Sequence, residues 1–497
     1  MAKLATSAVA LPILARYLGI EGYGQYAYYL AVLLLASQFA NVGMMPTMTK
    51  RIAERPEDAA WCRAVARSGA LINGAGVVGV GLAAGLLIGG TASHDTAAVP
   101  MALAVVGVLV FDQVWFYARG VLHGFRQEER AAVPGIIGVL MAGSFGIIAA
   151  VMGMGVVGVF VGLLLADVFV AGACLRAVIS ALEALGAPTS EGSSPLTAGA
   201  MLRFGLSAMA FSVLNMALCS LDIILVRHLA GEAQAGLYAA AVQWSQFVWF
   251  IPIAVEGVML QATAKMWAEE RVEAVTSLVS RLVRYVMLGT IFLLIVVSVL
   301  GDRIITVYFG AQFSEAALGL RLLAPGALCY ALARVLWPVI QAGGWGLSLI
   351  RVMLVTVMVD VGLCVMLIPT GGALGAACAT SLSFAVVAGC YAWILRRRKV
   401  SIVQGLALSR LLVLVGVTGI AIAGFSALVT TPLLSLLVGA TAGLLFYWTG
   451  VFGLGIVQVD ELESLVQSLP GAFRRAGEAA LRMVAPLLMR LKATASN

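Results

Sequence analysis

The sequence has few charged residues and almost no histidine. Asp, Glu, Lys and Arg make up 11% of its 497 residues, and only three residues are histidines. A soluble domain carries about 25% charged residues, so this composition excludes an ordinary soluble fold. The scarcity of histidine argues against a zinc or haem site. No GxxxxGK[ST] motif occurs, so ATP hydrolysis by this chain is not supported. No cofactor is expected.

The seven cysteines form no pattern that is typical of a metal site or a redox pair. None is spaced as CxxC or combined with histidine at ligand spacing. We therefore expect them to act as small apolar side chains. No small-residue cleavage site precedes the ARYLG turn, so no cleavable signal peptide is expected. The first apolar run starts directly after Lys3, which leaves open whether the natural chain begins further upstream.

Apolar residues are abundant instead. They make up 62% of the chain, and the mean hydropathy is +1.02. Apolar runs of about 20 residues cross a bilayer as helices, because a helix satisfies its own backbone hydrogen bonds. We predict an all-α polytopic membrane protein with about 14 transmembrane helices. The predicted spans are 3–18, 24–45, 66–90, 98–118, 133–151, 154–175, 203–226, 237–262, 284–300, 322–341, 352–369, 372–395, 407–429 and 432–455.

The positions of lysine and arginine predict the orientation. Basic residues collect in the loops on one side of the predicted spans, and such loops face the cytoplasm. Both termini are then cytoplasmic. The exceptions among the 31 basic residues are Arg16, Arg227, Arg303, Arg321 and Arg334. The net charge of +7 is accounted for by this bias, so no nucleic-acid partner is expected.

Two segments about 211 residues apart are nearly alike. LARYLGIEGYGQYA covers 14–27, and LVRHLAGEAQAGLYA covers 225–239 with one extra residue. GVVG at 155–158 recurs as GALG at 372–375. A duplicated apolar chain is typical of transporters that are built from two structural repeats. The matched pairs in the first segment are Leu14–Leu225, Arg16–Arg227, Leu18–Leu229, Glu21–Glu232, Gly24–Gly236, Tyr26–Tyr238 and Ala27–Ala239.

The repeat predicts four parts along the chain. They are an N-terminal six-helix lobe at 1–200, a C-terminal six-helix lobe at 201–400, an extra transmembrane helix pair at 401–457 and a cytoplasmic amphipathic tail at 458–497. Six helices per lobe is an even number, so both lobes enter the membrane from the same side. Their pseudo-symmetry axis is then expected along the membrane normal.

Four segments carry a family resemblance. They are ILARYLGIEGYGQYAYYLAV, DIILVRHLAGEAQAGLYAAA, YFGAQFSEAALGLRLLAPG and LIPTGGALGAACATSLSF. In this order they resemble signature stretches of the polysaccharide (O-antigen type) flippases, within the multidrug/oligosaccharidyl-lipid/polysaccharide exporter (MOP) superfamily. The resemblance covers about residues 11–398, and the extra helix pair fits members with fourteen spans.

The resemblance implies a function, a location and partners. Family members flip lipid-linked (undecaprenyl-diphosphate) oligosaccharide from the inner to the outer leaflet of the bacterial cytoplasmic membrane, by alternating access. The product serves cell-surface polysaccharides such as lipopolysaccharide or exopolysaccharide. Membrane lipids are expected partners, and a polysaccharide polymerase or chain-length regulator is a further candidate. The coupling ion would be H⁺ or Na⁺. Asp360 stands where the family more often has asparagine.

Arg334 is the first candidate for binding substrate. It lies in the middle of a predicted span, and ionisable residues at this depth usually face the bundle interior or water. Its guanidinium could hold phosphate oxygens with two hydrogen bonds. Alternatively, it forms a structural ion pair with Asp360 or Glu256.

Four further basic residues are candidates for the same role. Arg16 and Arg227 are equivalent by the repeat and lie near outer helix ends, where snorkelling or helix capping would also explain them. Lys50 and Arg51 close a span at the inner mouth, where they could meet the diphosphate. The positive-inside bias explains them equally well.

Four acidic residues within spans are candidates for ion coupling or ion pairing. Asp222 lies in SLDIILVRHLAG, and Glu256 follows Pro252 in a segment that could gate. Asp360 lies in a later span. Asp112 lies seven residues before an arginine, and for this residue a structural role is favoured over ion coupling. Each could instead form a structural ion pair.

Two other classes of function remain open. One is a cation-coupled small-molecule exporter or a peptidoglycan lipid-precursor flippase. The other is a membrane polysaccharide polymerase or ligase, which would need a sizeable outer loop with catalytic groups. The predicted outer loops are mostly a few residues long. We therefore expect a transporter and not an enzyme.

Overall fold

A computed structural model describes residues 2–91, 98–186, 198–402 and 408–456. This part of the chain is α-helical, with one short 3-10 helix and no strand, which confirms the predicted all-α fold. The tail at 458–497 lies outside the described residues. The helices are α1 (Ala2–Asn41), α2 (Met44–Glu54), α3 (Ala59–Thr91), α4 (Ala98–Gly124), α5 (Glu129–Val151), α6 (Gly155–Glu183), α7 (Ala198–Ala230), α8 (Glu232–Phe247), α9 (Phe250–Ala268), α10 (Val272–Tyr308), the 3-10 helix (Ala311–Phe313), α11 (Ala316–Ala342), α12 (Gly346–Arg397), α13 (Leu408–Ala427) and α14 (Pro432–Gly453).

The number of membrane spans differs from the prediction. Among the described residues, 11 helices are long and apolar enough to cross a membrane, or up to 12 if α8 and α9, which meet at a 50° bend, form one span. The exact count of about fourteen is therefore not confirmed. Helices α1 and α12 each contain two predicted spans, with non-helical geometry at Gly19 and Gly372. A straight helix of 52 residues, the length of α12, would measure about 78 Å, far more than the hydrocarbon thickness of about 30 Å.

Four glycines with positive φ mark equivalent positions of the repeat. Gly19 has φ 73° and Gly231 has φ 91°; Gly155 has φ 63° and Gly372 has φ 54°. Side chains disfavour this region, so glycine is the favoured residue at these breaks. The repeat that the sequence indicates therefore reappears as matched backbone breaks.

The positions of the glycine breaks shift the alignment of the two matched segments by one residue. Because Gly19 corresponds to Gly231, the extra residue of the second copy lies just before that glycine. Glu232 then corresponds to Ile20, and not to Glu21 as the sequence comparison indicated. Each is the first residue after its break.

The described residues form two compact units that alternate along the chain. Unit one comprises 1–242, 308–319 and 346–383, and unit two comprises 243–307, 320–345 and 384–497, each as far as it is described. In unit one, Met44, Met48 and Ile52 of α2 are fully buried in a core shared with α3, α4 and α6. In unit two, buried Tyr447 of α14 donates a hydrogen bond of 2.7 Å to the carbonyl of Leu288 on α10. The units reflect packing rather than repeat symmetry, so the predicted lobes stay a prediction.

Candidate functional site

Unit two contains an ion pair within its apolar helices. The guanidinium of Arg334 on α11 donates to the Glu256 carboxylate on α9 at 2.7 Å. Each side chain is 20% exposed, so both remain accessible. The sequence left open whether Arg334 pairs with Asp360 or with Glu256, and the structure shows the pair with Glu256. Pro252 and Pro338 lie one turn from the two charges, within their helices.

A groove of about 350 Å³ opens beside this ion pair. Sites for small molecules usually measure about 300–1,000 Å³ and combine apolar walls with a few polar groups. The groove has this composition, with one aromatic residue, Trp337, among otherwise aliphatic neighbours. Its lining residues are Ile253, Glu256, Gly257, Leu260, Arg334, Trp337 and Pro338.

Arg334 lies beside a cluster of aromatic rings. Its guanidinium lies 5.9 Å from the ring centroid of Tyr330. That ring stacks on Phe384 with centroids 4.5 Å apart, and Trp249 lies 4.7 Å away. Trp249 and Phe384 also contact each other, with centroids 5.7 Å apart, so the three rings form one cluster. Packing in this cluster restricts the rotamers of Tyr330, and so helps to position the Arg334 head beside the groove.

Unit one contains a second polar site, which centres on Asp222 of α7. The side chain is 1% exposed and accepts hydrogen bonds from the Tyr238 hydroxyl and, at 3.3 Å, from the Thr380 hydroxyl. The backbone N–H of Ile223 also donates to it at 2.8 Å. The two hydroxyls are 2.8 Å apart. Helices α7, α8 and α12 therefore converge on one carboxyl group.

Asp360 of α12 adds a second acidic group to this site. It is 1% exposed, it lies within electrostatic range of Asp222, and the Ser383 hydroxyl hydrogen-bonds to it. Its Oδ1 atom has no hydrogen-bond partner among the described residues. No lysine or arginine of the described chain forms an ion pair with either acid. Two buried carboxylates need a proton or a bound cation to compensate their charge.

The chemistry available to this site is narrow. Across the described ranges, no group of three His, Cys, Asp or Glu side chains could hold a metal ion. Carboxyl and hydroxyl oxygens are ligands for hard cations, and a shared proton would serve the same purpose. The side chains of the Asp222–Asp360 site therefore offer oxygen ligands only.

Arg227 takes part in a contact between the matched segments. Its guanidinium is 2.5 Å from the Glu232 carboxylate and lies 4.7 Å from the ring centroid of Tyr28 on α1. The Gln25 amide donates to the same carboxylate at 2.6 Å. The Cγ atom of Arg16 packs beside Gly310. These contacts favour a structural role at the glycine breaks.

Lys50 and Arg51 lie on α2, away from the glycine breaks. The Lys50 ammonium sits 4.6 Å above the ring of Phe204, and Arg51 pairs with Glu54 at 3.1 Å. These residues, together with Arg16 and Arg227, belong to unit one, whereas Arg334 belongs to unit two. The structure therefore does not join the five predicted basic residues into one site within either unit.

Asp112 belongs to a polar network between helices of unit one. The Ser37 hydroxyl donates to its carboxylate at 2.6 Å, and the Gln113 amide donates to the Ser37 hydroxyl at 2.8 Å. The Asn73 amide donates to the Gln113 carbonyl at 3.1 Å. Links between α1, α3 and α4 fit the structural interpretation of Asp112.

Sequence reasoning missed several residues of these sites. Tyr238 and Thr380 at the Asp222 carboxyl, and Trp337 in the groove, carry no charge that would single them out in an apolar span. Tyr238 was marked only as a member of the repeat. No feature of the sequence places it beside Asp222, which lies 16 residues earlier in the chain.

We expect the ion pair between Arg227 and Glu232 to stabilise unit one modestly. Both side chains are partly exposed, so Arg227→Gln or Glu232→Gln should each lower the free energy of unfolding by about 1 kcal/mol. Thermal unfolding of the purified protein in detergent measures this. The double variant should be little worse than either single variant, because both remove one interaction. Strictly additive losses would contradict a direct pair.

Comparisons with known proteins give a family by sequence and a fold by structure. A family profile described as "Polysaccharide biosynthesis protein" matches residues 1–255. The lipid II flippase MurJ in an inward closed conformation has a TM-score of 0.66 at 13% identity, over 91% of this chain and 98% of its own. An inward-facing multidrug resistance MATE transporter of the MOP superfamily has a TM-score of 0.59 at 14% identity, over 82% and 99%.

A third solved structure is similar in the same way. A MOP-superfamily transporter from Pyrococcus furiosus has a TM-score of 0.54 at 16% identity, over 80% of this chain and 96% of its own. No curated protein matches the chain by sequence. At these identities the structural likeness establishes the fold, which is that of the MurJ and MATE transporters, and leaves the substrate open.

Proposed function

The chain belongs to the polysaccharide biosynthesis protein family, and from this premise we propose that it flips lipid-linked oligosaccharide between membrane leaflets. Family membership and the MOP-superfamily fold together support a multi-pass membrane transporter or flippase. The finer assignment is an undecaprenyl-diphosphate-linked oligosaccharide that moves from the inner to the outer leaflet. The observation that carries it is the family match, which spans half of the chain.

The polar groups in the two units are proposed to contact different parts of the substrate. A long lipid tail can remain in the bilayer, whereas the diphosphate and the sugars need polar groups along their path. The groove at Arg334 and Glu256 offers such groups in unit two. Lys50 and Arg51 offer cationic ones in unit one, where Lys50 is exposed and Arg51 is partly exposed. We assign first contact with the diphosphate to these two residues.

A cation gradient would drive the conformational cycle. Asp222 and Asp360 form the proposed coupling site because they are buried, close to each other and lack an ion-pair partner in the described chain. Binding and release of H⁺ or Na⁺ changes the charge of this site, and so biases the equilibrium between conformations. Arg16 and Arg227 would steady the helix breaks rather than bind substrate.

The proposed location is the bacterial cytoplasmic membrane, with both termini in the cytoplasm. The bias of basic residues supports this orientation. A polysaccharide polymerase or chain-length regulator is the proposed partner. Reporter fusions at the two termini would test the orientation, and an outer location of either would contradict it.

The function is tested by locating the lipid-linked oligosaccharide in cells that lack this protein. An impermeant sugar-modifying reagent labels only the material in the outer leaflet. We expect the unlabelled inner pool to accumulate, and restored expression should reverse this. Normal labelling of unpolymerised units would contradict flipping and favour a polymerase or ligase.

A second candidate function is flipping of the peptidoglycan lipid precursor. It is favoured by the fold similarity to the lipid II flippase over 91% of this chain. The same labelling experiment separates the two, because the inner pool that accumulates would then be the peptidoglycan precursor. A cation-coupled exporter of small molecules would change neither lipid pool.

A further inference from the structure

The groove in unit two has almost no net charge, although it contains Arg334. The guanidinium is already matched by the Glu256 carboxylate at 2.7 Å, and the remaining lining residues are uncharged. A diphosphate entering here would meet the carboxylate as well as the arginine. It would have to separate the pair before it could take both arginine hydrogen bonds. This geometry does not favour an anionic group.

A neutral sugar ring fits the same groups without separating them. Neighbouring sugar hydroxyls can each donate and accept a hydrogen bond. One hydroxyl can donate to the Glu256 carboxylate while its neighbour accepts from the Arg334 guanidinium. The ion pair thus presents an acceptor and a donor side by side, which is the arrangement that a vicinal diol requires.

An aromatic wall completes the recognition of a sugar. Trp337 lines the groove one turn after Arg334 on α11. The face of an aromatic ring is electron-rich and attracts the C–H edge of a pyranose ring. The aliphatic residues Ile253 and Leu260 supply the rest of an apolar wall.

We propose that this groove is a subsite for one neutral sugar ring of the lipid-linked oligosaccharide, and not for its diphosphate. The inference rests on the proposed function, which it makes more specific. Arg334 and Glu256 hydrogen-bond to hydroxyls, Trp337 stacks on the ring, and the braced Tyr330 keeps Arg334 in place. The diphosphate is left to cationic groups elsewhere in the chain.

The test compares two lipids on the full-length protein in detergent micelles. One is the lipid-linked oligosaccharide extracted from the deletion cells, and the other is undecaprenyl diphosphate without sugar. Trp337→Ala should weaken binding of the sugar-bearing lipid about tenfold and leave the sugar-free lipid unchanged. Trp337→Phe should retain most of the affinity. Trp393→Ala, which removes an exposed tryptophan of the same unit, is the matched control and should change neither.

Glu256→Gln distinguishes the two ligand chemistries by the sign of its effect. A sugar subsite predicts weaker binding of the sugar-bearing lipid and no change for the sugar-free lipid. A diphosphate site predicts tighter binding of both lipids, because a repelling charge is removed, and this would overturn the proposal. Equal weakening of both lipids by Trp337→Ala would also overturn it. If the wild-type protein binds neither lipid, the proposed function fails and this subsite fails with it.

Discussion

Alanine at Gly24 or at Gly236 is expected to abolish transport and to lower the amount of folded protein. An added Cβ at Gly24 would lie 2.1 Å from the carbonyl oxygen of Glu232, and one at Gly236 would lie 2.1 Å from that of Ile20. Real Cβ atoms essentially never approach within 3.0 Å. The backbones of α1 and α8 would have to move apart, at a cost of about 3 kcal/mol or more.

From the symmetry of this crossing we expect both positions to be equally sensitive to substitution. Each glycine faces the carbonyl of the residue four positions before the other glycine, so the two contacts mirror each other. Gly24 and Gly236 are also partners in the sequence repeat. Small residues let helices approach closely in membranes, where packing replaces the hydrophobic driving force.

The effect is measured by thermal unfolding of the purified variants together with the leaflet-labelling assay. Gly74→Ala on α3 is the matched control, because no atom of the described residues outside its own stretch of helix lies within 4 Å of the added Cβ. It should leave both readouts near the wild-type values. The double variant should be little worse than either single variant, since one separation of the helices accommodates both methyl groups. Normal stability of Gly24→Ala would contradict the close crossing.

The repeat was predictable from the sequence because it includes glycines at positions where the backbone has positive φ. Gly155 and Gly372 were matched by spacing alone, and both adopt positive φ in the structure. The register of the first pair was wrong by one residue at Glu232, because identity of side chains cannot place an insertion. Backbone geometry places it before Gly231, since Gly19 and Gly231 both have positive φ at their breaks, a conformation that favours glycine.

Only the charged residues of the candidate sites could be predicted from the sequence. Intramembrane charges pointed to Arg334, Glu256, Asp222 and Asp360, and the structure joins them into two pairs. The uncharged partners could not be predicted, because contacts such as Tyr238 to Thr380 link residues 142 positions apart in the chain. The count of about fourteen spans is not confirmed, since α1 and α12 each join two predicted spans across a break at one glycine.

Asp222→Asn is expected to abolish the response of the protein to its coupling cation. Asp222 accepts hydrogen bonds from Tyr238, Thr380 and the backbone of Ile223, so its carboxyl oxygens are held in a fixed orientation. Asparagine has nearly the same size and removes the charge. A cation that binds only the folded protein raises its unfolding temperature, and this shift should disappear.

The measurement compares unfolding temperatures in sodium chloride and in choline chloride at constant pH, and then across pH without sodium. A sodium site predicts a sodium-dependent shift in the wild-type protein, and a proton site predicts a shift with pH alone. Asp360→Asn should weaken the apparent affinity for the cation by about tenfold or more, because one of two nearby charges is lost. Asp222 would still supply the other.

Thr380→Val tests the contribution of a hydrogen bond to Asp222 separately from the contribution of the carboxyl charge. It removes one hydroxyl donor and leaves both carboxyl groups, so the cation response should weaken without disappearing. Asp112→Asn is a second control, because that acid belongs to the Ser37 network and not to this site. Should the variant with both Asp222 and Asp360 replaced by asparagine keep the full cation response, the coupling site must lie elsewhere. The opposite outcome is that Asp222→Asn loses the cation response while its unfolding temperature in choline chloride stays at the wild-type value. This result would show that the carboxylate binds the cation directly, because the fold would be as stable without it.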